Sequence, residues 1–159
     1  MNNNNEKILR DYLAEILNWQ GAHINLEKAV ENFQSELRGK RPKSAPHSAW
    51  QLLEHIRMAQ YDILDFTKNP DYKELNWPDD YWPENDSPPD DSAWGKSIES
   101  FKADLAELRA MANDSSVDLF NPIPHGDGQN ILRELLLVAD HNAYHIGQIV
   151  QLRKMLGTW

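Results

Sequence analysis

Apolar residues recur three and four positions apart along most of the chain, and no stretch alternates with the period of two that marks a strand. Segment 6–17 therefore predicts a helix that Gly21 breaks or bends, and the periodic segment 22–37 predicts further helix before a linker at 39–46. The apolar stripe of the first helix consists of Ile8, Leu9, Tyr12, Leu13, Ile16 and Leu17.

Local end signals define the next helix. Ser48 and Gln51 form an S-x-x-Q capping box, in which each side chain satisfies a free backbone amide of the first turn. We expect this helix to end before Asn69-Pro70, because proline disfavours helical backbone at the residue before it. The inward stripe is predicted to contain Leu52, Ile56, Ala59 and Ile63.

Two more helices follow. One is predicted over 93–112, with Asp91 or Ser92 as its cap. The last runs from about Gln129 to Leu156 and stops at Gly157, which would make it about 40 Å long. The apolar face of the 93–112 helix is marked by Ile98, Phe101, Leu105, Leu108 and Met111.

Four main helical segments predict an all-α fold, a four-helix bundle that forms a single domain over residues 1–159. Long loops at 70–91 and 113–128 connect the helices. The first loop holds five prolines and is rich in aromatic residues, so we expect it to pack through its rings. Its aromatic residues either cover a pocket or only anchor the loop to the bundle: Trp77, Tyr81 and Trp82.

The composition and charge of the chain argue against several classes of partner and site. The net charge of −9 opposes binding to phosphate backbones or anionic lipid, which argues against nucleic acid and membrane partners. The longest apolar run, 135–139, is far shorter than the roughly 20 residues of a membrane span. The first ten residues lack the pattern of a secretory signal, so we expect a cytoplasmic protein. With no cysteine, any metal ligands must be nitrogen or oxygen atoms.

Three histidines are candidate metal ligands. His141 and His145 lie four residues apart, so they project from the same face of the last helix, and that face continues through apolar residues. His55 interrupts the inward stripe of the Ser48 helix. Together these histidines would form a facial set with open positions for water and substrate. Alternatively, each is a core histidine that bonds backbone or carboxylate groups. The shared apolar face holds Leu137, Val138, Gln148, Ile149 and Leu152.

Other polar residues are candidates for supporting roles. Glu134 and Asp62 each lie seven residues from a candidate ligand and would orient an imidazole through its second nitrogen. Gln148 either bonds a metal-bound water or makes an interhelical hydrogen bond. Tyr144 either places its hydroxyl near the pocket or packs at the bundle edge, and His23 is either a proton carrier at the mouth of the bundle or a solvent-exposed residue.

Four further residues are given structural roles. His47, just before Ser48, is expected at the surface or the helix entry, and His125 is expected in a plain turn unless its loop contacts substrate. Glu54 and Asp140 adjoin candidate ligands in sequence, so they point about 100° away, toward solvent or a neighbouring helix.

The stretches HSAWQLLEHIRMAQYDIL (47–64) and LRELLLVADHNAYHIGQIVQLRKMLG (132–157) resemble the DinB-like (DinB/YfiT) superfamily of metal-binding four-helix bundles. The resemblance covers nearly the whole chain, and its specific part is the three histidines, which correspond to the family's metal triad at His55, His141 and His145. It implies a divalent metal ion, zinc or nickel, and a homodimer. It also implies, for some members, transferase, isomerase or hydrolase activity that uses a low-molecular-weight thiol.

Two functions remain open at this stage. The first is a metal-dependent enzyme that acts on a small-molecule substrate by thiol transfer or metal-assisted hydrolysis. The chain has no cysteine and no G-x-S-x-G sequence, so metal activation is the strongest route to a nucleophile. The second is a non-catalytic dimeric bundle with a structural or vestigial metal site. A fourth protein ligand would favour the second function, because structural zinc sites are closed by four.

Overall fold

A computed structural model describes residues 3–18 and 21–159. Its α-helices are α1 (Asn3–Ile16), α2 (Leu26–Val30), α3 (Ala49–Lys68), α4 (Ala93–Asn113) and α5 (Ile131–Met155). Single 3₁₀ turns lie at Ser35–Leu37 and Asp79–Tyr81. The described part of the chain contains no strand, only an isolated bridge between Pro122 and Asn130. The predicted all-α fold is confirmed.

The capping box at the start of α3 is present as predicted. The backbone N–H of Gln51 donates to Ser48 Oγ at 3.1 Å, and the backbone N–H of Ser48 donates to Gln51 Oε1 at 3.1 Å. Asn69 follows the last residue of α3, and its N–H still bonds the Asp65 carbonyl at 2.8 Å. The S-x-x-Q pattern therefore sets the register in which α3 presents His55 to the bundle interior.

The cap of α4 differs from the prediction. Ser92 occupies the N-cap position, but its side chain makes no capping bond, and Asp91 does not supply one either. Asp90 Oδ1 instead accepts the backbone N–H groups of Ser92 at 2.7 Å and Ala93 at 2.9 Å. A carboxylate one or two residues farther from the helix can satisfy the same free amides when the chain turns tightly before the first turn.

The last helix begins at Ile131, two residues later than predicted, because Asn130 is its cap and accepts the backbone N–H of Arg133 at 2.9 Å. It ends at Met155, where Gly157 adopts a positive φ of 72°. The N–H of Gly157 bonds the Lys154 carbonyl, and the N–H of Thr158 bonds that of Arg153. This paired C-terminal closure is the reason that a glycine stands at position 157.

The prediction of a helix over 22–37 is wrong. Asn25 caps a helix, α2, of only five residues, and its side chain accepts the N–H of Lys28. Asn32 then adopts a positive φ of 53°, which ends helical backbone before Phe33. Most apolar residues of this segment, including Phe33, are nevertheless buried, whereas Ile24 and Leu37 are half-buried. The apolar periodicity therefore marks buried positions in a compact loop as well as in a helix.

The apolar stripe of α1 divides in two. Leu13 and Leu17 are buried, whereas Ile8, Tyr12 and Ile16 are exposed, so the residues predicted to form one stripe do not share one environment. The exposed residues follow each other at four-residue spacing, so they form a second, outward stripe. The buried stripe packs α1 mainly against α4.

The interior of the bundle is built around α3, which packs against both α4 and α5. Its predicted inward stripe is confirmed. The buried stripe of α3 consists of Leu52, Ile56, Ala59 and Ile63.

Among the described residues, no helix is sufficiently long and apolar to cross a bilayer.

Arg153 joins the end of α5 to the loop after α2. Its Nη1 donates to the carbonyls of Ala29 and Glu31 at 2.9 Å each, and its Nη2 donates to the Thr158 carbonyl at 2.9 Å. The guanidinium also lies over the Phe33 ring at 5.3 Å. The buried guanidinium thus donates to three carbonyl groups that accept no hydrogen bond within a helix.

We expect Arg153→Met to lower the free energy of unfolding by roughly 2–4 kcal/mol, because it leaves three carbonyls without donors. Chemical denaturation measures this difference. Lys154→Met, one residue farther along and exposed, is the matched control, for which we expect a change within about 0.5 kcal/mol. Equal effects of the two substitutions would show that the carbonyl bonds do not stabilise the fold.

Candidate metal centre

Helices α3 and α5 bring the three predicted histidines together. His55 of α3 is 1% exposed, His145 of α5 is buried, and His141 is half-buried. Nε2 of His55 lies 3.1 Å from Nε2 of His145 and 3.1 Å from Nε2 of His141. The four-residue spacing on α5 places its two rings one helical turn apart, and the capping register of α3 places the third ring opposite them.

Hydrogen bonds of the Nδ1 atoms fix the tautomers of two of the three rings. Nδ1–H of His55 donates to the Tyr81 backbone carbonyl at 2.9 Å, and Nδ1–H of His145 donates to Gln148 Oε1 at 3.0 Å. In the neutral rings both Nε2 atoms then carry lone pairs, and these lone pairs face each other. Such an arrangement is repulsive unless a cation lies between them.

The separations of the nitrogen atoms fit one transition-metal ion. Bonds of about 2.0–2.1 Å with angles between octahedral and tetrahedral require Nε2 atoms about 2.8–3.4 Å apart. The two separations of 3.1 Å lie inside this range. Two of the three separations therefore fit a facial three-nitrogen ligand set, and one ring nitrogen of each histidine lies within 4.8 Å of those of the other two.

Burial keeps the three imidazoles neutral, the form that binds metals. It lowers the pKa of His55 to about 4 and that of His141 to about 4, and neighbouring imidazoles add to both shifts. For His141 the Asn142 side chain opposes the lowering. The pKa of His145 is also lowered, chiefly by burial. At neutral pH each ring therefore has a nitrogen lone pair available.

Within the described residues, no fourth histidine, aspartate or glutamate joins this group. The donors are three neutral imidazoles, which suit zinc, copper, iron and nickel. A closed structural zinc site has four protein ligands, so the described side chains leave at least one position for water or substrate.

The 70–91 loop covers one face of His55. The Trp82 ring stacks on the His55 ring at 3.8 Å with an interplanar angle of 3°, and the His47 ring stacks on the other face of Trp82 at 3.9 Å. His47 thus stands at the helix entry, as predicted, but packs as the outer layer of this stack and is half-buried. Tyr81, also in the loop, is buried and supplies the carbonyl that orients His55.

Two exposed aromatic residues border the site. Trp77, 68% exposed, has its ring 6.2 Å from that of His55, and Tyr144, 64% exposed, has its ring 4.8 Å from that of His145. The aromatic residues of the loop therefore have two different roles. Tyr81 and Trp82 anchor the loop and cover the site, whereas Trp77 leaves an apolar surface beside the site. Tyr144 packs its ring on His145 at the edge of the bundle.

The carboxylates predicted to orient the imidazoles do not bond them. Glu134 is buried and pairs with Arg133 at 2.5 Å, and Asp62 accepts the hydroxyls of Tyr72 at 2.9 Å and Tyr81 at 2.7 Å. A spacing of seven residues is two helical turns, about 10 Å, which is too far for direct contact. Their place is taken by a backbone carbonyl and an amide side chain.

Gln148 does not make the interhelical hydrogen bond that was one of its two predicted roles, and its bond to a metal-bound water stays a prediction. It lies three residues after His145 on the same helix and accepts the Nδ1–H of that ring at 3.0 Å. Glu54 points to the neighbouring helix, as predicted, where Ser97 of α4 donates to it, and it also pairs with Arg57. Asp140 is exposed.

The remaining two histidines lie outside the triad. His23 is exposed, and its Nδ1 is hydrogen-bonded to the backbone carbonyl of Ile24 at 2.8 Å. His125 donates from Nε2 to the Phe66 carbonyl at 2.7 Å, which holds the loop before α5 against α3. Neither ring belongs to the three-histidine group.

A polar cavity of about 370 Å³ begins one turn from His141 along α5. Leu137 lines it and is partly exposed there, contrary to the prediction that it belongs to the buried face. Carboxylates of Asp62, Glu74 and Glu134 outnumber the single nearby guanidinium of Arg133. The cavity therefore favours ligands with positive charge.

We expect Gln148→Leu to weaken zinc binding about 10- to 100-fold, the usual effect of losing a partner that orients a ligating histidine. Competition with a chromophoric chelator measures the affinity. Gln151→Leu, one turn farther along and exposed, is the control and should bind like the unmodified protein. The same affinity in both variants would mean that Gln148 does not orient His145.

Comparison with protein families identifies the family of this chain. A family model described as the DinB superfamily matches residues 19–149, well over half of the chain. Comparisons with curated proteins and with solved structures give no match. The chain belongs to the DinB superfamily.

Proposed function

We propose that this protein is a divalent-metal-dependent enzyme that acts on a small molecule. His55, His141 and His145 are the proposed ligands, and zinc or nickel is the proposed ion. The observation that carries the proposal is that Nε2 of His55 lies 3.1 Å from Nε2 of both His141 and His145, without a fourth histidine, aspartate or glutamate at this group among the described residues. A site with three protein ligands and an open position is typical of catalytic metal centres.

A divalent ion held in such a site lowers the pKa of a bound water or thiol, so that a nucleophile is available near neutral pH. The chain itself has no cysteine to serve as one. Thiol transfer to an electrophilic small molecule is the favoured reaction, because the family resemblance implies it. Metal-assisted hydrolysis is the second version of the same proposal.

The residues around the triad have distinct parts in this proposal. The Tyr81 carbonyl and Gln148 hold the His55 and His145 rings in place. Trp82 covers His55 and excludes water from that face. The exposed rings of Trp77 and Tyr144 provide apolar contacts for the reacting part of the substrate, since both border the triad.

The polar cavity is the proposed site for the remote part of the substrate. Glu134 is only 2% exposed and pairs with the more exposed Arg133, so a buried carboxylate lies at the cavity wall. Asp62 is held in place by the hydroxyls of Tyr72 and Tyr81. A substrate that carries an amino group would be favoured by these carboxylates.

A homodimer is part of the proposal and also of its alternative, a non-catalytic dimeric bundle. The outward stripe of Ile8, Tyr12 and Ile16 on α1 supports dimerisation, because it exposes apolar surface at helical spacing. Light scattering would give the mass of the unmodified protein and of Tyr12→Glu. A dimer that the substitution converts to a monomer supports this interface, and an unmodified monomer contradicts it.

Activity assays distinguish the enzyme from the alternative. Zinc- or nickel-loaded protein would be mixed with glutathione or cysteine and 1-chloro-2,4-dinitrobenzene. In that reaction sulfur bonds to the aryl carbon, chloride leaves, and the thiol proton passes to solvent. p-Nitrophenyl acetate without thiol tests hydrolysis. We expect one of these rates to require the metal and to fall to background in His141→Asn. Protein that binds one ion yet exceeds that variant in neither assay would contradict the enzyme.

A further inference from the structure

His141 differs from the other two histidines of the triad in the hydrogen bonding of its Nδ1 atom. His55 and His145 have hydrogen-bond acceptors for Nδ1, but Nδ1 of His141 is buried without a partner. The next residue, Asn142, is also buried, and its Oδ1 is buried without a partner too. Two complementary polar atoms on consecutive residues are therefore both unsatisfied, which is rare in protein interiors.

The orientation of the Asn142 amide is set from outside α5. Gln60 Nε2 donates to the Phe101 backbone carbonyl at 2.8 Å, and a carbonyl can only accept. Gln60 Oε1 therefore faces Asn142 and accepts its Nδ2–H at 2.9 Å. This leaves Asn142 Oδ1 as a free acceptor. Gln60 is 1% exposed, so water does not compete for these bonds.

The protonation of His141 follows from the role of its other nitrogen. Its Nε2 lies 3.1 Å from Nε2 of His55, and ligation through Nε2 requires a lone pair there. The proton of the neutral ring must then be on Nδ1, which makes Nδ1 a donor. Asn142 already interacts favourably with the protonated His141 ring.

We propose that Asn142 is the positioning residue for His141, with Gln60 holding it in place. In the metal-bound protein His141 Nδ1–H donates to Asn142 Oδ1. A chain of hydrogen bonds then runs from the Phe101 carbonyl of α4, through Gln60 of α3 and Asn142 of α5, to the third ligand. This inference rests on the proposed metal site, and it gives each imidazole of the triad its own acceptor.

Zinc affinity of Asn142 variants, measured by chelator competition, tests the proposal. We expect Asn142→Leu to weaken zinc binding about 10- to 100-fold, the usual effect of removing an orienting partner. Asn142→Asp keeps an acceptor for Nδ1–H but loses the N–H that bonds Gln60, so it should bind zinc more tightly than Asn142→Leu and less tightly than the unmodified protein. Asn25→Leu is the control: it also removes a buried asparagine, at the cap of α2, and should leave zinc affinity unchanged.

Side-chain ¹H–¹⁵N NMR of the zinc-loaded protein supplies a readout that loss of stability would not change. We expect the Nδ1–H proton of His141 to exchange faster with water in Asn142→Leu, while those of His55 and His145 stay protected. Unchanged affinity together with an unchanged His141 signal would overturn this inference alone. Failure of the unmodified protein to bind zinc would overturn the proposed metal site as well.

Discussion

His55→Ala is expected to reduce zinc affinity by more than about a hundredfold, a larger loss than removing an orienting partner causes. His55 is the only ligand contributed by α3, and its Nε2 is within 3.1 Å of both other Nε2 atoms. Without it, two imidazoles one turn apart on α5 remain, and a pair of ligands leaves the ion mostly hydrated. Isothermal titration or chelator competition at pH 7 measures the loss.

The control for this substitution is His125→Ala, which removes a histidine outside the triad. It should bind zinc with the affinity of the unmodified protein. Because His55 is buried, circular dichroism must show that His55→Ala remains helical; His141→Ala, at a half-buried position, gives a second test of the same site. Full zinc affinity in a folded His55→Ala protein would exclude the site.

The metal-free protein is expected to lose stability as the pH falls from about 6.5 to about 4. The pKa values of His55 and His141 are lowered from 6.5 to about 4 in the folded protein. Within this window the unfolded chain therefore binds more protons than the folded one, so acid favours unfolding. After a discount for partial solvent exposure, the two rings together contribute roughly 2–4 kcal/mol across the window.

Urea denaturation of metal-free protein at several pH values measures this dependence. In His141→Asn the stability should fall less steeply below pH 6.5, because one buried titrating ring is absent. His23→Asn removes an exposed histidine and should keep the dependence of the unmodified protein. If His141→Asn kept the full dependence, titration of the triad would not be the cause.

The helices that carry the ligands could be predicted because their determinants are local. The Ser48–Gln51 capping box fixes the start of α3, and Gly157 closes α5. The four-residue spacing of His141 and His145 then places both rings on one face whatever the tertiary structure. The meeting of these two rings with His55 follows from the inward stripe of α3, which the structure buries as predicted.

The partners of the imidazoles could not be predicted, because they come from distant parts of the chain or carry no sequence signal. The Tyr81 carbonyl is a backbone group that any residue would offer, and it approaches His55 only when the loop folds. The bond between Gln60 and Asn142 joins residues 82 positions apart. The stack of Trp82 on His55 likewise depends on the path of an irregular loop.

Two errors of local prediction have a common cause. Apolar periodicity reports which positions are buried, and it does not identify the backbone that buries them. Segment 22–37 is buried through a short helix and a turn at Asn32, where φ is positive. In α1, adjacent apolar positions such as Leu13 and Tyr12 point to different sides, so a wide stripe in the sequence contains both a core face and an outer face.

The most direct test of the metal site is a crystal structure of zinc-loaded protein with data collected on both sides of the zinc absorption edge. We predict one anomalous peak per chain, about 2.0–2.1 Å from Nε2 of His55, His141 and His145, with the remaining coordination by non-protein ligands. A peak elsewhere, or no peak at the triad in protein saturated with zinc, would contradict the three-histidine site.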